Sequence, residues 1–316
     1  MSISCVQTIA LAGVGSLGRY LYEVLSQDNQ YKVIVLSRQN GDDLKSTGID
    51  PSLVRTTDYT EDSVLSILDY NHATALISTI QCADDDYVPI HTVLLSACLR
   101  SNTCKRLIPS EYAGNIEDYP DLPRAYAVTR TPFRDTLCKT EGIQWTSFNL
   151  GWFMDYFVAQ EKTFIRHVPS EFPIDLKSWQ YTVRGTGDEL QSFTCARDVA
   201  KAIVELLKAP TWDQVTYVAG EYASFNDAAK ALEDFYGRPL ERLYRSEDDI
   251  KAALAEHEGH GGCEGRAIAE AEELTISGAN CCPREKTLDQ KARYFENVPF
   301  RSLREVLEKA GSSEKV

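Results

Sequence analysis

Three glycines in G-x-G-x-x-G order, Gly13, Gly15 and Gly18, follow the apolar run TIALA and precede RYLYEVLSQ, whose apolar residues recur near helical spacing. Strand, glycine turn and helix in that order let a backbone receive a pyrophosphate. Gly13 permits the tight turn, Gly15 lets the phosphate approach the main chain, and Gly18 lets the helix pack closely. Amide N–H groups at the helix start, around Ser16 and Leu17, would face the anion, aided by the helix dipole and the Ser16 hydroxyl. The competing reading is a structural glycine turn with no ligand. Arg38 argues for the ligand. It ends the second apolar run, YKVIVLSR, 20 residues beyond Gly18. An acidic residue there would suit a free ribose 2′-hydroxyl, whereas an arginine suits a 2′-phosphate, so NADP(H) is expected over NAD(H).

The elements that must position these residues can be read from the hydrophobic pattern. Strand candidates LVRTTD (53–58), ATALISTI (73–80), KRLIPS (105–110) and QWTSFNLG (144–151) alternate with helical segments at 61–68, 88–100 and 133–140. Such alternation predicts an α/β fold: a Rossmann-like, doubly wound parallel sheet covered on both faces, with a smaller C-terminal substrate-binding portion. Residues 1–154 are expected to form the NADP-binding domain and 155–316 mainly the substrate-binding portion, with some segments returning to the first domain. Later helices are predicted in RDVAKAIVELLK near Asp198, in FNDAAKALEDFYG before its terminating glycine, in SEDDIKAALAEH capped by Ser246, and near the C-terminus in FENVPFRSLREVLEKA.

Composition narrows the function classes. The 316 residues are 43% hydrophobic and 25% charged, ordinary for a globular protein. A net charge of −14 opposes binding to nucleic acid or an anionic membrane. The N-terminus lacks a secretion pattern and no run approaches membrane-spanning length, so a cytoplasmic protein is expected. Nine scattered cysteines read as reduced small hydrophobes rather than as a disulfide framework.

With the glycine motif, LSR closing the second strand, KRLIPSEY (105–112), EGIQWTSFNLGWFMDYF (141–157) and QSFTCARDVAKAI (191–203), the sequence resembles the NmrA-like and isoflavone-reductase-like branch of the atypical short-chain dehydrogenases. The resemblance covers most of residues 7–240. It implies a Rossmann domain, NADP as ligand, and either aromatic-compound reduction or a regulatory role without turnover. It also implies that Thr79, Ile80 and Gln81 run beside the cofactor, and that Pro109, Ser110, Glu111 and Tyr112 approach its nicotinamide side. Strand carboxyl ends are where ligands of open sheets gather. Asp58 is either an adenine-side contact or a cap for the helix that follows. The family's reductases carry a lysine on the helix before the EGI turn, and here Arg130 or Thr131 aligns with it. Arg130 is preferred because Tyr126-x-x-x-Arg130 echoes the Tyr-x-x-x-Lys pair of conventional short-chain dehydrogenases. Arginine cannot act as a neutral base, so Arg130 would be a clamp on the nicotinamide ribose and Tyr126 the acid. Pro132, which favours a first helical turn, predicts a helix capped by Thr131 that leaves both residues outside it.

The aromatic run after the sixth strand, Trp152, Phe153, Met154, Tyr156 and Phe157, is expected to line a cleft for a small apolar or aromatic compound, although the same residues could form core. The activity expected is NADPH-dependent reduction of a carbonyl or enone. Alternatives are an NADP-binding regulator and an isomerase or cyclase whose cofactor is structural or transiently used. A homodimer is a possible assembly. No metal is expected: His257, His260, Cys263, Cys281 and Cys282 lack ligand spacing. Cys195 is expected to be a buried thiol rather than a nucleophile.

Overall fold

Strand β1 (Gln7–Ala12) exposes only Gln7, and among the residues of β2 (Tyr31–Ser37) Lys32 alone is fully exposed, so both are buried on two faces as parallel strands must be. The computed structural model describes residues 6–82, 84–257, 264–312 and 314–316, apart from the side chains of Ser46 and Asp84. By internal contacts the chain forms two units. One comprises Met1–Glu111, Val128–Phe148 and Ala200–Thr216; the other comprises Tyr112–Ala127, Asn149–Val199 and Tyr217–Val316. The division is interleaved along the chain, with 200–216 grouped with the first unit. Its physical reason lies in the backbone: the Ala113 carbonyl accepts from the amides of Leu150 (2.8 Å) and Gly151 (3.0 Å), tying the segment after residue 111 to the segment after 148.

The first unit is built in chain order from β1, helix α1 (Ser16–Gln27), β2, a short α2 (Gly41–Leu44), β3 (Val54–Thr56), α3 (Glu61–Tyr70), β4 (Ala73–Ser78), α4 (Asp84–Arg100), β5 (Arg106–Ile108), α5 (Arg130–Cys138) and β6 (Gln144–Trp145). The six strands run parallel in the order β3-β2-β1-β4-β5-β6. This order reverses direction between β1 and β4, the switch point beyond which ligands of doubly wound sheets sit. Helix α1 buries Leu17, Tyr20, Leu21 and Leu25, one face at helical spacing. Helix α4 begins four residues earlier than expected, running through Pro89. Asp85 and Asp86 near its start suit the positive end of the helix dipole.

The second unit contains two small three-stranded sheets. In one, Gln180–Arg184 lies parallel to Glu241–Arg245 and antiparallel to Ile174–Asp175. In the other, Gln191–Thr194 lies antiparallel to Glu221–Ala223 and parallel to Trp152–Phe153. Phe157, Phe172, Phe193 and Phe225 meet with centroid separations of 5.1 to 6.5 Å, forming its aromatic core. Helix Phe225–Tyr236 ends at Gly237 with φ +68°, and helix Glu247–Glu256 starts with a capping box between Ser246 and Asp249, as the sequence predicts. Helices Glu264–Ile276 and Arg284–Tyr294 were not expected. The latter buries Thr287 and Gln290, and Gln290 accepts the Tyr217 amide at 2.7 Å. A polar buried face leaves no hydrophobic period to read. No helix among the described residues is long and apolar enough to cross a membrane.

Candidate active site

The β1–α1 junction is shaped by its three glycines, each in a different way. Gly13 has φ +89°, the left-handed region that favours glycine, and a Cβ there would lie 3.2 Å from the Thr79 and Ile80 backbone. Thr79 closes the junction from the β4 side by donating its hydroxyl to the Gly13 carbonyl at 2.8 Å. A Cβ on Gly18 would come within 2.4 Å of the Gly13 oxygen and 2.6 Å of the Thr79 hydroxyl. Around Gly15, by contrast, a Cβ would meet nothing within 4 Å. The helix begins behind this open space with no side-chain cap and no acidic residue in its first turn. Ser16 is half-buried and Leu17 buried there. A backbone with exposed amide donors and no competing carboxylate fits an anionic diphosphate.

Arg38 is exposed just past β2, its guanidinium 5.6 Å from the centre of the Tyr59 ring. Tyr59 donates to the Leu36 carbonyl at 2.9 Å, which fixes the ring, and burial pushes its phenol up to about 12. Among the described residues no carboxylate pairs with Arg38. Asp58 accepts from the amide (3.0 Å) and hydroxyl (2.8 Å) of Thr60, so its carboxylate organises the start of α3. The Thr60 amide contact holds the Asp58 carboxyl below its usual range. Ile80 is half-buried and Gln81 exposed after β4; Pro109 is buried and Ser110 half-buried after β5.

His91, a residue the sequence reading did not single out, joins these two strand ends. Its Nε2 lies 3.2 Å from the Ser78 hydroxyl and accepts the Ser110 amide at 3.3 Å. Nε2 is therefore an acceptor, the proton resides on Nδ1, and Nδ1 donates to the Tyr87 carbonyl at 2.9 Å. Burial lowers the imidazole to about 4, with Arg130 acting in the same direction and the Tyr87 hydrogen bond opposing. A single histidine inside an apolar helix gave no sequence signal for this role.

Arg130 is the first residue of α5, whose cap is Thr129, so the expectation of a helix capped by Thr131 is corrected. Pro132 takes the third helical position, where its missing N–H still costs no intrahelical bond. The Arg130 guanidinium sits 4.1 Å from the centre of the Tyr87 ring and donates to the Thr129 hydroxyl at 3.2 Å. Glu111 is buried beside it. Arg134 Nε lies 3.3 Å from Glu111 Oε1, and the Ser147 hydroxyl donates to Glu111 Oε2. Burial raises the Glu111 carboxyl, and Arg134, Ser147 and Arg130 pull it back.

In the second unit a cavity of about 290 Å³ brings together Tyr112, Tyr126, Trp152, Phe153 and Tyr156. Tyr126 stands in the short 3-10 turn Arg124–Val128, and Tyr112 takes the left-handed φ of +51°. Burial raises the phenols of Tyr112 and Tyr156. With the Asn280 amide turned oxygen-first, Trp152 donates its indole N–H at 2.6 Å and its backbone N–H at 3.2 Å, which fixes that ring. Met154 and Phe157 are fully buried and absent from the cavity wall, a difference from the expected aromatic lining. The chain turns from extended (Trp152–Phe153) to 3-10 (Met154–Phe157), which sends these two side chains inward. Cys195 is buried and its thiol raised by burial, so it is no thiolate nucleophile. His260 and Cys263 lie outside the described residues. Among the described residues no three ligand-type side chains group as a metal site would need.

Sheet order and glycine junction together define a Rossmann-type α/β protein. Residues 9–111 match the TrkA-N domain. The chain is 36% identical over 305 residues to the oxidoreductase swnR of Arthroderma benhamiae, covering 95% of this chain and 96% of that protein. It is 25% identical over 264 residues to phenylcoumaran benzylic ether reductase 1 of Arabidopsis thaliana, covering 78% and 80%. Among solved structures, AtPrR2 with NADP+ and (+)pinoresinol superposes with a TM-score of 0.73 at 17% identity, over 96% of this chain and 98% of that one. The leucoanthocyanidin reductase–NADPH complex from Vitis vinifera gives 0.71 at 16% identity, over 96% and 99%. The chain is an oxidoreductase and belongs to the NmrA-like and isoflavone-reductase-like family.

Proposed function

We propose that this protein reduces a small, largely apolar or aromatic carbonyl or enone compound with NADPH. The observation that carries the reading is the open, acid-free start of α1 behind Gly15. In this reading the amides from Gly15 to Gly18 hold the diphosphate, and Arg38 holds the 2′-phosphate against the Tyr59 ring. Thr79, Ile80 and Gln81 flank the dinucleotide, with Asp58 toward the adenine; Pro109, Ser110 and Glu111 lie toward the nicotinamide. Bound NADPH supplies the hydride. Arg130 acts as a fixed positive charge, since an arginine keeps its proton. Tyr126 offers its hydroxyl to the oxygen on which negative charge grows, and the aromatic side chains around it exclude water. The cavity beside Tyr126 favours an enzyme over a regulator, because turnover needs an enclosed place for a second molecule.

Calorimetry with NADPH and NADH, followed by NADPH oxidation measured against a panel of aromatic ketones and enones, tests the reading. Tight NADPH binding with turnover that falls in Tyr126→Phe is expected. Absence of binding to either nucleotide would overturn it, and binding with turnover unchanged in both Tyr126→Phe and Arg130→Met would remove the catalytic assignments.

A further inference from the structure

Among the described residues, the wall of the Trp152 cavity contains two carboxylates, Glu171 and Glu270, and no lysine, arginine or histidine. The two acids are in different states. Glu270 is already satisfied, with Oε1 accepting from Arg266 at 2.6 Å and Oε2 from the Ala125 amide at 3.0 Å. Glu171 has neither a hydrogen bond to its carboxylate nor an ion pair within 4.0 Å among the described residues. Buried Arg184 directs its terminal donors elsewhere: to the backbone carbonyls of Glu171 (2.8 Å), Ala271 (3.4 Å) and Ser170 (3.4 Å) and to the Thr275 hydroxyl (3.2 Å). Its field reaches Glu171 only through space. Burial raises the Glu171 carboxyl more than Arg184 lowers it, and Glu264 raises it further. A partly desolvated negative charge without a contact partner is costly unless something else neutralises it.

Tyr156 faces the same cavity, and its hydroxyl has no hydrogen-bond partner among the described residues. Its ring meets Trp152 edge-on at 6.1 Å, so the cavity presents aromatic surface close to an unmatched carboxylate. Aromatic rings and a carboxylate together attract a positive charge carried on an apolar body.

We propose that the compound bound in this cavity carries a cationic nitrogen, such as a protonated amine, which the Glu171 carboxylate holds within the wall formed by Trp152 and Tyr156. The proposal rests on reading this cavity as the substrate site. It deepens that reading by adding a charge to an otherwise apolar ligand.

The test uses the full chain saturated with NADP+, with benzylamine, a cation at neutral pH, and benzyl alcohol, its neutral counterpart, as probes. Affinities are measured by ligand-observed NMR. Benzylamine should bind about 10-fold or more tightly than benzyl alcohol, the usual scale for one charge-assisted contact. Glu171→Gln should erase that preference while leaving benzyl alcohol unchanged. Equal affinities in the unaltered protein overturn the charge assignment and need no variant. A preference that survives in Glu171→Gln overturns the role of this residue. If NADP+ binds but neither probe does, the cavity reading and the proposal fall together. If NADP+ itself does not bind, the cofactor reading fails, whereas the difference between the probes still decides this one.

Discussion

Replacing Arg38 by alanine should separate the two nicotinamide nucleotides. The side chain lies on the surface at the end of β2, held over the Tyr59 ring at 5.6 Å, and no carboxylate among the described residues neutralises it. Two unit charges about 4 Å apart attract by about 4 kcal/mol at an effective dielectric of 20. An exposed ion pair in water retains under about 1 kcal/mol. Arg38 lies between these limits, because one flank is covered by an aromatic ring and the other is open to solvent. About 2 kcal/mol is therefore expected, equivalent to roughly 30-fold weaker NADPH binding. NADH has no 2′-phosphate and should bind Arg38→Ala as it binds the unaltered protein. Calorimetric titration with both nucleotides at low and at physiological salt measures this directly, and added salt should shrink the NADPH advantage. If NADPH and NADH weaken in parallel, Arg38 supports the fold rather than the phosphate. If neither changes, the 2′-phosphate lies elsewhere.

Two further outcomes follow from the same first unit. Gly18→Ala should lower the melting temperature by several degrees, corresponding to about 1–3 kcal/mol of overpacking, because its methyl would stand 2.4 Å from the Gly13 carbonyl oxygen, which is backbone and cannot swing away. An unchanged melting temperature would refute the close packing of α1 on the β1 turn. His91 is fully buried, with its pKa lowered from 6.5 to about 4, so the unfolded chain binds the proton more readily. The stabilising effect of keeping it neutral is complete above pH 6.5 and lost as pH falls toward 4, a change of about 3 kcal/mol. Denaturant titrations between pH 4 and 7 should therefore show a flatter profile for His91→Asn than for the unaltered protein, and parallel profiles would refute the assignment.

Local physics made the first unit legible. The glycine spacing, the apolar runs of β1 and β2, and the helical period of α1 act over a few residues, so the strand-turn-helix start and the parallel sheet were readable before any tertiary contact was known. Capping was equally local: Ser246 and Gly237 bound their helices where side-chain chemistry and a left-handed φ require. Arg130 was harder. Its helix begins earlier than Pro132 alone suggested, with the Arg130 guanidinium stacked on Tyr87 from a different helix 43 positions away in the chain. The helix Arg284–Tyr294 was invisible because what it buries is Thr287 and Gln290.

Residue types alone therefore determined that a backbone cradle would stand at Gly13–Gly18 with Arg38 beyond the neighbouring strand, since both depend on spacing along the chain. Tertiary structure decided which aromatic side chains face a cavity and which fill a core. Trp152, Phe153 and Tyr156 line the cavity while Met154 and Phe157 are buried, although all five lie within six consecutive residues. It also decided that Glu171 would be left facing the cavity while Glu270 found the distant Ala125 amide. Hydrophobicity draws all five of these side chains toward an interior. Which interior each one reaches depends on backbone turns and distant partners that no local pattern encodes.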